Sequence, residues 1–143
     1  MLDDIYNKKI LEFAGNIPHL ERLVSPQASS KAHSKLCGST IEVDLVMEDG
    51  KVSEFGQGIN ACALGQAAAS VVARHIIGAD AAELRSLREQ MRAMLEQNGA
   101  PPTGKWDDLK YLEPVRDYPA RHASTLLVFD AVVEAIDKIE SGS

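Results

Sequence analysis

Two cysteines carry the first chemistry that this sequence offers. Cys37 is followed by Gly38 and precedes the clearest strand pattern in the chain. Cys62 stands where strand-like sequence gives way to an alanine-rich stretch. They are 25 residues apart, which is not the Cys-x-x-Cys spacing of zinc fingers and thioredoxin-like proteins. A thiol at a helix N-terminus feels the partial positive charge of unpaired N–H groups, which stabilises its thiolate. Cys62 is therefore a candidate nucleophile or soft-metal ligand. The competing reading is that both cysteines are small buried apolar residues, a common fate of free cysteine.

Histidines extend the candidate set. His122 lies two residues before Ser124, and His33 lies four before Cys37 in a loop-like stretch. Cys37, Cys62, His122 and a fourth group would suit zinc or iron. Against that, a helix-start histidine commonly bonds a backbone carbonyl, and a histidine in a polar loop is commonly solvated. His19 and His75 stand in no such pattern and read as structural. Arg85, Arg88 and Arg92 share a helix side with Glu89 and Glu96 interleaved, which reads as a solvated face. Asp107 and Asp108 read as a helix cap, and Ser124-Thr125 lacks the elbow of a serine hydrolase.

The elements that must position these groups are legible in the hydrophobic pattern. Leu2, Ile5, Tyr6, Ile10 and Phe13 make one face of a first helix, ended by Gly15 and Pro18. Residues 16 to 35 read as loop. Ile41, Val43, Leu45 and Met47 alternate with Glu42 and Asp44 as a half-buried strand, and Asp49-Gly50 signals a hairpin turn. Val52 to Phe55 returns as a second strand, and Gln57 to Ala61 is a weaker third. A helix follows from Ala61 to Ile77, with Gly78 as its stop and Gly65 allowing close packing. Asp80 caps a further helix carrying Leu84, Leu87, Met91, Met94 and Leu95. Residues 99 to 106 read as a loop and 107 to 112 as a short helical turn. Pro119 opens a last helix that runs to near Ile139. Strands grouped before helices indicate α+β, with a small antiparallel sheet of about three strands packed by several helices.

Composition narrows the function classes. The chain has 143 residues, 45% hydrophobic and 25% charged, which fits one domain over 1–143. Its 15 basic and 21 acidic residues leave a net charge of −6, which argues against a nucleic-acid or anionic-membrane surface. The N-terminus has no apolar signal core and no stretch is long enough to span a bilayer, so a cytoplasmic protein is expected.

Taken in order, the motifs resemble the NifU-like, or IscU/SufU-type, iron–sulfur cluster assembly scaffold family. Ile5 to Phe13 followed by Asn16 and Pro18 is similar to the family's opening helix and Asn-Pro loop. Cys37-Gly38 matches its Cys-Gly-Asp motif except at Ser39. Cys62 followed by Ala63 to Ser70 is similar to its second cysteine and small-residue helix. Tyr118-Pro119-Ala120-Arg121 is similar to the lead-in to its third cysteine, a position that falls on Ser124. The stretch from Ala79 to Tyr118 is closer to the SufU branch.

The resemblance implies a site of Cys37 and Cys62, with Ser39 and Ser124 at the other ligand positions; His122 is the residue near them that could compensate as a ligand. It implies a transient iron–sulfur cluster or zinc as cargo. A cysteine desulfurase and recipient apo-proteins would be the partners, and Cys62 would accept the sulfur. A homo-oligomer is compatible with it. Such a protein is a scaffold or sulfur acceptor more than an enzyme. Because a [2Fe–2S] cluster ordinarily takes four thiolates, the missing cysteine also leaves room for a different class: a protein-binding module that has lost assembly and holds no cofactor.

Overall fold

The alternating run at 41–47 becomes the middle of the sheet. In a computed structural model, which describes residues 7–35 and 38–142, β1 (Ala28–His33), β2 (Thr40–Glu48) and β3 (Lys51–Asn60) form an antiparallel sheet in the order β1-β2-β3. Ile41, Val43 and Leu45 turn one face of β2 into the core and are fully buried. The Asp49-Gly50 turn forms as expected, with positive φ at both residues (54° and 78°). The two strands foreseen after it are one: β3 runs unbroken to Asn60, and a register shift between Val46 and Met47 absorbs the irregularity.

β1 corrects the loop reading of residues 16–35. Its sequence, Ala-Ser-Ser-Lys-Ala-His, carries little apolar alternation, and it forms by pairing with β2 from Ala28↔Leu45 to His33↔Thr40. His33 therefore ends a strand rather than sitting in a loop.

Among the described residues the α-helices are α1 (Lys8–Gly15), α2 (Ala63–His75), α3 (Ala81–Glu96) and α4 (His122–Glu140). Asn7 caps α1 through Ile10 N–H and Asp80 caps α3 through Glu83 N–H, as their residue types favour. Residues 104–117, foreseen as loop and one helical turn, form a run of 3-10 turns that buries Trp106, Leu109, Leu112 and Val115. The part of the first predicted helix before Asn7 lies outside the described residues.

α4 is the central element. It packs against β1, β2, α2 and α3, and its apolar residues are buried nearly all round. The arginine face of α3 is not simply solvated: Arg85 pairs with Asp137 and Glu140, and Arg88 with Asp130, across to α4.

The other sheet face is covered by the segment between α1 and β1. Asp44, expected to point to solvent, is fully buried beneath it. Its carboxylate accepts from Arg22 at 2.6 and 2.8 Å, from Leu23 N–H at 2.9 Å and from Ser29 Oγ at 2.5 Å. The Arg22 bond holds the acid below its ordinary pKa against the opposing effect of burial. Gly56 makes the cover possible, since a Cβ there would lie 2.3 Å from the Glu21 carbonyl oxygen. The outer edge of β3 is also occupied: Gln57 N–H donates to His19 O, Val52 N–H to Ala79 O, and Gly78 N–H to Val52 O.

Candidate functional site

Cys62 sits at the junction of β3 and α2. It is the N-cap of α2, in extended conformation (φ −69°, ψ 171°), and its carbonyl accepts from Gln66 N–H at 2.9 Å. Its side chain makes no capping bond. The half-buried sulfur turns instead toward α4, where Sγ meets Ser124 Oγ at 2.9 Å. A thiol and a hydroxyl can each donate or accept, so either can supply the proton.

Ser124 lies in the first turn of α4 and is 1% exposed. It reaches Cys62 because α2 presents glycine where the helices meet. A Cβ at Gly65 would stand 3.1 Å from the Ser124 carbonyl oxygen and 3.7 Å from its Oγ. Thus the two positions that the sequence reading singled out from widely separated motifs are in direct contact.

Cys37 itself lies outside the described residues. The backbone flanking it is tied down: Ser34 N–H donates to Ser39 O and Gly38 N–H to Ser34 O, both at 2.8 Å. Gly38 has φ +69°, which favours glycine after the cysteine. Ser39 is buried.

His122 has its Nε2 at 3.1 Å from both the Val115 and Arg116 carbonyls. Carbonyls only accept, so Nε2 carries the proton and Nδ1 is the nitrogen left for other use. This matches the backbone-bonding reading. His33 and His122 line one cleft of about 410 Å³ with Pro119, Ala123 and Asp130. Among the described residues, no group of three or more His, Cys, Asp or Glu is arranged to hold a metal ion. The structural reading of His19 and His75 agrees with their edge-on contacts to Phe55 and Trp106.

Gln57 was passed over in the sequence because it falls in the weak strand signal. It is fully buried and, among the described residues, donates only a long 3.4 Å bond to Ala69 O and leaves Oε1 without a partner.

The fold as a whole matches known proteins. A crystal structure of a nitrogen-fixing NifU-like protein (N-terminal) from Brucella abortus matches with a TM-score of 0.97 and 57% identity, covering 99% of each chain. The chain belongs to the NifU-like family. The iron–sulfur cluster assembly scaffold protein IscU of Thermotoga maritima is 27% identical to this NifU-like chain over 135 residues, 94% of each. A putative SUF-system iron–sulfur cluster assembly scaffold protein from Fervidobacterium islandicum AW-1 shares the fold, with a TM-score of 0.86 at 17% identity over 94% of this chain and 98% of its own. No family model matches the chain. No helix among the described residues of the NifU-like chain is long and apolar enough to cross a membrane.

Proposed function

We propose that this NifU-like chain is an iron–sulfur cluster assembly protein of the cytoplasm, acting as one domain. It accepts sulfur from a cysteine desulfurase at Cys62 and holds iron, zinc or a nascent cluster with Cys37 and Cys62 before passing it to recipient apo-proteins. The observation that supports this best is the Cys62–Ser124 contact. It joins the head of α2 to the start of α4, where the family resemblance places two ligand positions.

Sulfur transfer needs few protein groups. The Cys62 thiolate attacks the outer sulfur of a donor cysteine persulfide. A new S–S bond forms at Sγ, the donor's S–S bond breaks, and the donor leaves as a thiolate. Holding a cluster is harder. A serine hydroxyl gives up its proton far less readily than a thiol, so Ser39 and Ser124 are weak substitutes for strong ligands. A cluster on this chain is therefore labile, or shared between two copies. His122 offers Nδ1 as a supplementary ligand.

The second reading, a protein-binding module without cofactor, draws on the serines at both ligand positions. Metal and sulfide per chain separate the two. The protein is purified without chelator or metal-binding tag, then reconstituted anaerobically, as the parent and as Cys37→Ala and Cys62→Ala. Metal bound by the parent and lost in both variants supports the assembly role. A well-folded parent that takes up neither metal nor sulfide overturns it and leaves the binding module.

A further inference from the structure

We propose that Ser124 is a positioning residue for Cys62, holding its sulfur in the one orientation from which it receives sulfur. This rests on the reading of Cys62 as the acceptor.

The choice of partner by Ser124 is the first argument. A hydroxyl in a helix ordinarily bonds back to a carbonyl one turn earlier. Thr125, the next residue and equally buried, does so, donating to Arg121 O at 2.9 Å. Ser124 does not. Its Oγ, on a buried residue, meets the Cys62 sulfur and has no other hydrogen-bond partner among the described residues.

The conformation of Cys62 is the second. As the N-cap of α2 its side chain is placed where cap residues reach the helix's own N–H groups, yet it makes no such bond. The sulfur is drawn across to α4 instead. Gly65 provides the close approach that this needs.

The chemistry of a hydroxyl is the third. It accepts from a thiol and donates to a thiolate, so the same contact holds the sulfur before and after it loses its proton. A carboxylate at this place would accept only, and an alanine would do neither. In the transfer, Ser124 forms no bond to sulfur. Its part is to hold the direction of Sγ toward the incoming donor.

The test compares the alkylation of Cys62 and Cys37 by iodoacetamide in the full chain at one fixed pH, read peptide by peptide by mass spectrometry. Cys37 serves as the internal reference. Ser124→Ala removes one oxygen and should lower the Cys62 to Cys37 rate ratio by about three- to tenfold, the scale of one orienting hydrogen bond. Ser124→Thr keeps the hydroxyl and should restore most of the ratio. A ratio unchanged or raised in Ser124→Ala overturns the proposal. Persulfide transfer from a cysteine desulfurase to the parent is measured separately. If the parent's Cys62 gains no sulfur, the acceptor reading fails, while the alkylation ratio still decides whether Ser124 orients the thiol.

Discussion

Gly65 of α2 lies against the backbone of Ser124, close enough that a Cβ would meet the serine's carbonyl oxygen at 3.1 Å and the Ala61 Cβ at 3.0 Å. This contact sets the separation of the helices that carry Cys62 and Ser124. Gly65→Ala gains about 1 kcal/mol of helix propensity but forces two tight contacts apart, which costs about 1–3 kcal/mol. The net expectation is a melting temperature lower by a few degrees. An unchanged melting temperature would show that the helices have room to spare.

Ser124→Cys should convert the contact into a bond. A sulfur in place of Oγ would start close to the Cys62 sulfur, now 2.9 Å from that oxygen, and a disulfide needs about 2.05 Å. In air the variant should lose two hydrogens in mass, reversibly with a thiol reductant. Kept reduced and reconstituted anaerobically, it should hold more iron and sulfide per chain than the parent. Three persistent free thiols in air, Cys37 included, would mean that the helices do not meet as described.

Acid stability should depend on Asp44. Its carboxyl is held below the ordinary 3.8, chiefly by the Arg22 bond. A depressed folded value means a contribution that is full above the unfolded value and is lost as pH falls through the folded one. The parent should therefore lose stability below about pH 4, and Asp44→Asn should show a flatter acid limb in denaturant titrations. Arg22→Ala should cost about 2–3 kcal/mol at neutral pH, less than a fully buried pair because Arg22 is 46% exposed.

Gln57 makes the opposite prediction. Its buried Oε1 has no partner among the described residues, so its desolvation goes uncompensated. Gln57→Met keeps the volume and removes the polar group, and should raise stability by about 1 kcal/mol in urea unfolding. A loss of stability instead would indicate a partner for the amide, such as a bound water.

Much of this was legible beforehand where the signal is local. The alternation of β2, the Asp49-Gly50 turn and the Asp80 cap each follow from neighbouring residues, and each formed. β1 was not legible, because an edge strand of small polar residues is specified by its partner and not by its own pattern. The burial of Asp44 was hidden for the same reason, its arginine being 22 residues away. For the site, the family motifs mark Cys62 and Ser124 as two ligand positions. Only the packing of α2 on α4 reveals that the serine bonds to the sulfur.

The backbone groups along the outer side of β3 have a consequence for how copies of this protein meet. An open strand edge invites another chain to add a strand. Here the loop through His19 and the turn at 78–80 already occupy that side. On the far margin, Lys138 of α4 donates to the Ser29 carbonyl. The sheet is thus guarded at both margins against runaway polymerisation, and Lys31 sets a charge in the middle of the less sheltered one. A further strand therefore meets an occupied margin along β3 and a charged one along β1, which disfavours strand addition between copies.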